Sequence, residues 1–469
     1  MIVYSASQAN VLPLTSRCNL RCRFCSHQGN PPDFKLPFLS DRPLKELEVL
    51  AGYLDPRRKV VIGESATKIP EGEPLLYPQL VPLLCHLRRR FPRMSVQITT
   101  NCIELTEELA SVMADLQPLE LVVSLNSATP EGRRRLMGDP RPLRAINGVE
   151  RLGRWGVPFH GSIVLMPQLV GWDDIEYTIG FLEGQGCRMV RLLMPGFTDW
   201  GHSRGQPAEF SLGDWYKLAP RLEELRSRFD LPIIMEPPIW PSPTQPGAML
   251  AGLVEGVIRG SDAERAGLRE GDVILQVNGE RVFSRVDAFE RIRRAGQPRV
   301  TVARGEREFE VRIAKTAGEA SGMVMSYDFD PVLARKTYHQ TLAGGFLLLT
   351  SVLAAPMLAA ALTCCWAESE GLINPPLQDL EEAIAYLQQR DIYLQVVSNN
   401  LLGGNIGCAG LLTVSDLLAG YQQFQIRHPQ VKLRQVLVPD AAFDHHGEDL
   451  CGRGFWDLEA AIGKPVRPF

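Results

Sequence analysis

The sequence predicts an α/β protein in three parts: a parallel, barrel-like α/β region, a small β-rich unit, and a second α/β region. Three observations carry this. Apolar strand-like runs alternate with amphipathic helical stretches from Val11 to about Thr198. A Pro-rich run, Met235 to Gly247, breaks the alternation and reads as a linker. From about Gly322 the chain is again apolar and punctuated by glycine. With 469 residues, 45% of them hydrophobic, it can fill more than one core.

In the first region, strands are expected at Val11 to Leu14, Lys59 to Gly63, Ser95 to Thr99, Glu120 to Leu125, Phe159 to Met166 and Met189 to Met194. Helices are expected between them at Pro43 to Leu54, Tyr77 to Arg90, Thr106 to Leu116 and Pro142 to Trp155. Strict alternation implies a parallel sheet, whose loops at the strands' C-terminal ends are free for chemistry. The second unit carries "AGLREGDVILQVNG" (Ala266 to Gly279): a helix stop at Gly267, a turn at Gly271 and Asp272, then a strand ended by Asn278 and Gly279. With the closing hairpin "RVTVARGEREFEVRI", this stretch resembles a PDZ domain over about Ala248 to Ala314. In the third region "VVSNNLLGGNIGCAGLLTVSDLL" (Val396 to Leu418) reads as a strand, a Gly-rich turn and a helix.

The segment Thr341 to Trp366 is nearly long enough to span a bilayer. Its Gly pair, the turn at Thr350 and Ser351, Pro356, and the helical spacing of Leu353, Met357 and Leu362 favour a buried strand followed by a helix. A net charge of -4 supplies no overall basic field for nucleic acid. The ten unevenly spaced cysteines do not make a secreted disulfide framework, and the start "MIVYSASQAN" lacks the charged and apolar stretches of a signal peptide. A cytoplasmic protein with neither nucleic-acid nor membrane partner is expected.

The chemistry concentrates in "TSRCNLRCRFCSHQGN" (Thr15 to Asn30), where Cys18, Cys22 and Cys25 follow a C-x3-C-x2-C spacing. Three soft thiolates on one loop suit an iron cluster, and a four-iron cubane so held keeps one iron open to an outside ligand. Zinc held with His27 is the other metal reading, although Cys25 and His27 stand closer than usual zinc pairs. A ligand-free thiol set is the third.

This motif, with the aromatic Phe24 before its last cysteine, resembles that of the radical S-adenosylmethionine (radical SAM) family. "EGEPLLYP" (Glu71 to Pro78) is similar to the family's GGEP segment, with Glu71 standing where the first Gly usually is. The resemblance implies a partial (βα)6 barrel, a [4Fe-4S] cluster on Cys18, Cys22 and Cys25, and S-adenosyl-L-methionine as cofactor. It further implies that Gly72, Glu73 and Pro74 bind the methionine end through the backbone. By position Asn101, Ser124, Asn126 and Ser162 are its further cofactor candidates, with Phe24 beside them. Arg133 to Arg135 read as a solvated helix face.

"VPFHGSIVLMPQLVGWDDIEYTIGFL", "ASGMVMSYDFDP" and "NNLLGGNIGCAGLLTVSD" together resemble iron–sulfur oxidoreductases that combine a radical SAM domain, a PDZ domain and a C-terminal domain of unknown function. The implied domains are 1–240, 246–318 and 319–469. In those proteins the PDZ domain precedes the cysteines; here it lies between the other two, as a bridge would. The implied activity is reductive cleavage of S-adenosylmethionine to a radical that attacks a substrate, with ferredoxin or flavodoxin as electron donor. Two roles stand for the PDZ unit: capture of a peptide or protein substrate by strand addition, or a purely structural bridge. The competing class is an electron-transfer or peptide-binding scaffold protein without such chemistry. Cys364, Cys365, Cys408 and Cys451 read as buried free thiols, with a second cluster as the alternative, and "DHHGEDLC" (Asp444 to Cys451) reads as an acidic surface loop.

Overall fold

The structure is a computed structural model that describes residues 2–34, 36–64, 69–205, 210–239, 251–372, 377 and 379–469. Residues 240–247 of the expected linker, and 248–250 at the expected start of the PDZ stretch, lie outside the described residues.

Six parallel strands form the first sheet: β1 (Val60–Ile62), β2 (Val96–Thr100), β3 (Leu119–Val123), β4 (Phe159–Val164), β5 (Val190–Leu193) and β6 (Ile233–Glu236). Each pairs with the next in sequence order, the winding of a partial barrel. Burial alternates along β2: Val96, Ile98 and Thr100 are buried, while Gln97 and Thr99 are only partly so. The buried set packs under helices such as Leu80–Arg90 and Pro142–Trp155, whose Leu83, Leu87, Val149 and Leu152 belong to the same core.

Two sequence expectations change here. Val11 to Leu14 is not a strand; it makes one parallel bridge, Val11 to Val61, plus a hydrogen bond from Leu12 N–H to the Val61 carbonyl (2.9 Å). Asn10, at φ 56°, turns the chain just before it and limits the pairing. The sixth strand is instead Ile233–Glu236, beyond Thr198, and it takes in the first two residues of the expected linker. Its flanking prolines masked a short buried strand at the sheet's edge.

The small unit holds β7 (Gly252–Leu253), β8 (Gly256–Val257), β9 (Val273–Val277), β10 (Glu280–Arg281), β11 (Arg299–Arg304), β12 (Arg307–Arg312) and β13 (Met323–Val324). β10, β9, β11 and β12 form one antiparallel sheet, with β7 also on β9. Residues beyond the expected boundary at 318 pack on this unit. Met323 and Val324 pair antiparallel with Val257 and Gly256, Met323 enters its core, and the Asp328 carboxylate caps the helix Arg285–Arg294 through the N–H groups of Arg285 (2.7 Å) and Val286 (3.1 Å).

The third region is a four-stranded parallel sheet in the order β15 (Ile392–Val396), β14 (Phe346–Thr350), β16 (Gln435–Val438), β17 (Val466–Pro468). Phe346 and Leu348 of β14 face Leu358 and Leu362 of the helix Ala355–Ser369, whereas Leu347 and Leu349 face Leu417 and Phe424 of the helix Val414–Arg427. Helices on both faces explain why β14 is apolar throughout. The span that resembled a membrane segment is this strand and helix, and among the described residues no helix is long and apolar enough to cross a membrane.

The third region is fastened onto the first. Asn405, 208 residues away in sequence, accepts from Phe197 N–H at Oδ1 (2.7 Å) and donates from Nδ2 to the carbonyls of Pro195 and Phe210 (2.8 Å each). Asp199 accepts from Gly404 N–H (2.9 Å) and donates its own N–H to the Leu402 carbonyl (2.8 Å). Gly403 and Gly404 both have φ near +60°, and a Cβ on Gly404 would sit 2.0 Å from the Phe197 carbonyl oxygen, so only glycine fits this contact.

Candidate cofactor site at the cysteine loop

The cysteine loop is irregular because its backbone groups are spent on neighbours rather than on a helix or strand. Arg21 and Arg23 N–H donate to the carbonyls of Met137 (3.2 Å) and Leu136 (2.9 Å), at the end of the helix Pro130–Met137. The Gly72 and Glu73 N–H groups donate to the carbonyls of Thr15 (2.8 Å) and Arg17 (2.7 Å). The Glu71–Pro74 segment is thereby fixed directly to the loop. Close approach requires Gly72: a Cβ there would lie 1.9 Å from the Arg17 carbonyl oxygen. Thr198 Oγ1 donates to the Gly29 carbonyl (2.5 Å), tying the loop's far end to the segment after β5.

Cys18, Cys22 and Cys25 line one cavity of about 640 Å³ together with Phe24, Gly72, Glu73, Asn101, Ser124 and Asn126. Pro74 and Ser162 are buried but are not on its wall. The Pro74 ring packs over Gly63, whose absent Cβ would meet Pro74 Cγ at 2.3 Å, and Ser162 lies inside the barrel opposite Arg191 of β5.

The Glu73 carboxylate, fully enclosed, accepts from Thr100 Oγ1 (2.6 Å), Asn101 N–H (2.8 Å) and Leu75 N–H (3.1 Å). Its side chain therefore joins the cysteine-loop segment to the end of β2. Asn126, at φ 60°, spans two strand ends, accepting Val164 N–H at Oδ1 (2.8 Å). Asn101 Nδ2 donates to Asn19 Oδ1 on the cysteine loop (2.8 Å).

Some wall residues were not legible in the sequence. Thr99 lines the cavity, and its buried Oγ1 has no hydrogen-bond partner among the described residues. Glu71, read as a departure from a motif, accepts Gly63 N–H at 2.9 Å, and burial pushes its carboxyl up to about 8. Arg133 is not part of a solvated face: it is fully buried, pairs with Asp139 (2.7 Å) and donates to the Leu125 carbonyl (2.7 Å), while Arg134 and Arg135 stay exposed. The face pattern of that helix, in which Arg133 aligns with Leu136 and Met137, was the available signal.

Burial raises the Cys18 and Cys22 thiols above their ordinary value, and for Cys22 the proximity of Cys25 and Cys18 adds to it. Thiols that oppose one another's ionisation are a donor set that a shared cationic centre relieves. Among the described residues no three His, Cys, Asp or Glu side chains converge as ligands of a single ion. A cluster requires no such convergence, because each thiolate binds a different iron.

The Radical SAM superfamily profile matches residues 12–182, the stretch that builds this cavity from the cysteine loop through β4. The chain carries a radical SAM domain. A PDZ domain profile matches residues 253–304 in the small unit. Enzymes of the radical SAM superfamily use a [4Fe-4S] cluster and S-adenosylmethionine. The radical SAM domain here fits that pair: three thiols, a cavity of the size that ligands occupy, and a glycine where the backbone comes up to the cysteine loop.

Curated relatives include GTP 3',8-cyclase of Paenarthrobacter nicotinovorans, 29% identical over 185 residues, covering 37% of this chain and 49% of the relative. GTP 3',8-cyclase of Aquifex aeolicus (strain VF5) is 32% identical over 127 residues, covering 27% and 37%. The chain thus spans about half or less of the length of these relatives. Among solved structures, Streptococcus suis SuiB bound to precursor peptide SuiA is similar at 18% identity, with 48% of each chain covered and a TM-score of 0.39.

Proposed function

We propose that the chain is a radical SAM enzyme whose substrate is a peptide or protein, the class its PDZ domain suggests. In this reading Cys18, Cys22 and Cys25 hold the [4Fe-4S] cluster. Gly72, Glu73 and Pro74, with Phe24, Asn101, Ser124, Asn126 and Ser162, form the surroundings of S-adenosylmethionine. When bound, the pair supplies a 5'-deoxyadenosyl radical by one-electron cleavage.

The protein's own part is positioning. Gly72 brings backbone up to the cysteine loop, and Glu73 locks that segment to Thr100 and Asn101. Phe24, Phe34 and Phe38 make part of the cavity wall apolar. The observation that carries the reading is that residues 18–25, 72–73, 99–101 and 124–126 share one cavity. An electron carrier needs no such chamber beside its cluster. The electron donor in this reading is a ferredoxin or flavodoxin, and the compartment is the cytoplasm.

A structural role for the PDZ domain has its own support. Gly256 abuts Pro232 beside β6, where a Cβ would come within 2.5 Å, and Arg259 pairs with Asp230 (2.6 Å). On its other side Phe283 and Ser284 share a pocket with Phe329, Cys364 and Cys365. The domain thus touches both neighbours as a bridge does.

Anaerobically reconstituted protein given dithionite and S-adenosylmethionine is expected to release 5'-deoxyadenosine. A four-iron absorption band without any such release, even with candidate peptides present, would favour the electron-transfer class.

A further inference from the structure

A second chamber, of about 310 Å³, adjoins the cofactor cavity and shares Phe24, Cys25 and Phe34 with it. Its far wall belongs to the third region: Leu402, Ile406, Leu411 and Leu450 face Phe34 and Leu36 across it. We infer that this chamber receives the substrate, and that the group presented there is uncharged and apolar, an alkyl or aryl side chain rather than a phosphate. The inference rests on the radical SAM reading above and adds to it the class of substrate and the part of the chain that selects it.

Four features support it. Folded interiors keep few voids larger than a water molecule, so a chamber of this size beside Cys25 is a built space rather than a packing fault. Its wall is also held rigidly. The loop that carries Leu402 and Ile406 is the one whose Asn405 makes three side-chain hydrogen bonds to residues 195–210 and whose Gly404 admits the Phe197 carbonyl. The loop's polar groups are thus turned to the barrel, while its apolar side chains line the chamber.

Location is the third feature. Thr198, held between Asp199 and Phe197 of that contact, bonds the Gly29 carbonyl, so the wall and the cysteine loop are positioned by the same short segment. A group in the chamber would lie next to Cys25, within the reach of chemistry started in the adjoining cavity. The fourth is charge. Among the described residues lining the chamber none is Asp, Glu, Lys or Arg, and the polar side chains are those of Ser26, His27, Asn30 and Thr198. A triphosphate is bound through several cations and dense N–H donors, a set that one imidazole, one amide and two hydroxyls do not make.

The test uses the full-length reconstituted protein and the neutral fluorescent probe N-phenyl-1-naphthylamine. Wild type should bind about one probe per chain. Ile406→Lys, which puts an ammonium into an apolar space, should weaken binding about tenfold or more. Ile406→Leu should retain it, and GTP should not displace the probe. If Ile406→Lys fails to fold by circular dichroism, Leu450→Asn serves in its place. Displacement by GTP, or unchanged affinity in a folded Ile406→Lys protein, overturns the inference. Failure of the two proposals is separable: probe binding without S-adenosylmethionine cleavage defeats the reaction and leaves the chamber, whereas cleavage without probe binding defeats the chamber.

Discussion

The chain uses cysteine in two places in opposite ways. Cys18, Cys22 and Cys25 sit on an irregular loop and line a cavity whose wall also carries Glu73, Thr99, Asn101 and Ser124. Cys364 and Cys365 sit on the helix Ala355–Ser369, against Phe283, Phe329, Ala334 and Ala361. Both thiols face the same small pocket, which is lined mainly by apolar side chains. Burial raises them to about 12 and about 11, as it also raises Cys22, so the contrast lies in the surroundings rather than in titration. Cys408 precedes a short 3-10 turn in the Gly-rich stretch and Cys451 lies in the 444–454 loop. In the proposed function it is the surroundings, rather than the thiol itself, that set the two groups of cysteines apart.

Substitution tests this contrast most sharply. Cys22→Ala should abolish both cluster loading and 5'-deoxyadenosine release, whereas Cys364→Ala and Cys365→Ala together should leave iron and sulfide per chain unchanged. Loss of iron in the helix double variant would erase the distinction. Gly72→Ala comes next: its Cβ would collide with the Arg17 carbonyl, so S-adenosylmethionine should bind about tenfold more weakly, ~1.4 kcal/mol, by calorimetry on cluster-loaded protein.

Glu73→Gln is expected to be milder. The amide keeps one acceptor oxygen but turns an NH2 group toward a donor that the other oxygen served, a stability cost of about 1–3 kcal/mol in denaturant titration. The cluster should still form.

The last effect concerns pH. Glu71, raised to about 8 by burial, keeps its proton in the folded chain while the unfolded chain loses it near the ordinary 4.5. Between those values the folded state binds more protons, so stability falls as pH rises from 5 to 8 and then levels off. Glu71→Gln should flatten that slope. Cys364→Ala should leave it in place, since its thiol is neutral throughout the range.

The sequence made some of this legible and hid the rest for physical reasons. The cysteine spacing and the Gly72–Pro74 segment are local patterns, and each reads on its own. The alternating barrel runs, the Asn278–Gly279 turn and the wholly apolar β14 report local periodicity in the same way. Ile233–Glu236 was hidden because four residues between prolines show no period. The Asn405 latch was hidden because its partners lie about two hundred residues upstream, and nothing in "NNLLGGN" names them. Arg133 differs from Arg134 and Arg135 only in the face it occupies, which composition does not show.

Electron paramagnetic resonance of the dithionite-reduced, reconstituted protein with and without S-adenosylmethionine addresses the central claim most directly. The account predicts the signal of a reduced four-iron cluster whose g-values shift when S-adenosylmethionine is added, because one iron has no thiolate and is open to it. It further predicts that Cys22→Ala gives no such signal and that the Cys364→Ala, Cys365→Ala variant reproduces the wild-type shift. A cluster signal indifferent to S-adenosylmethionine, or about one tightly held zinc per chain in place of iron, would contradict it.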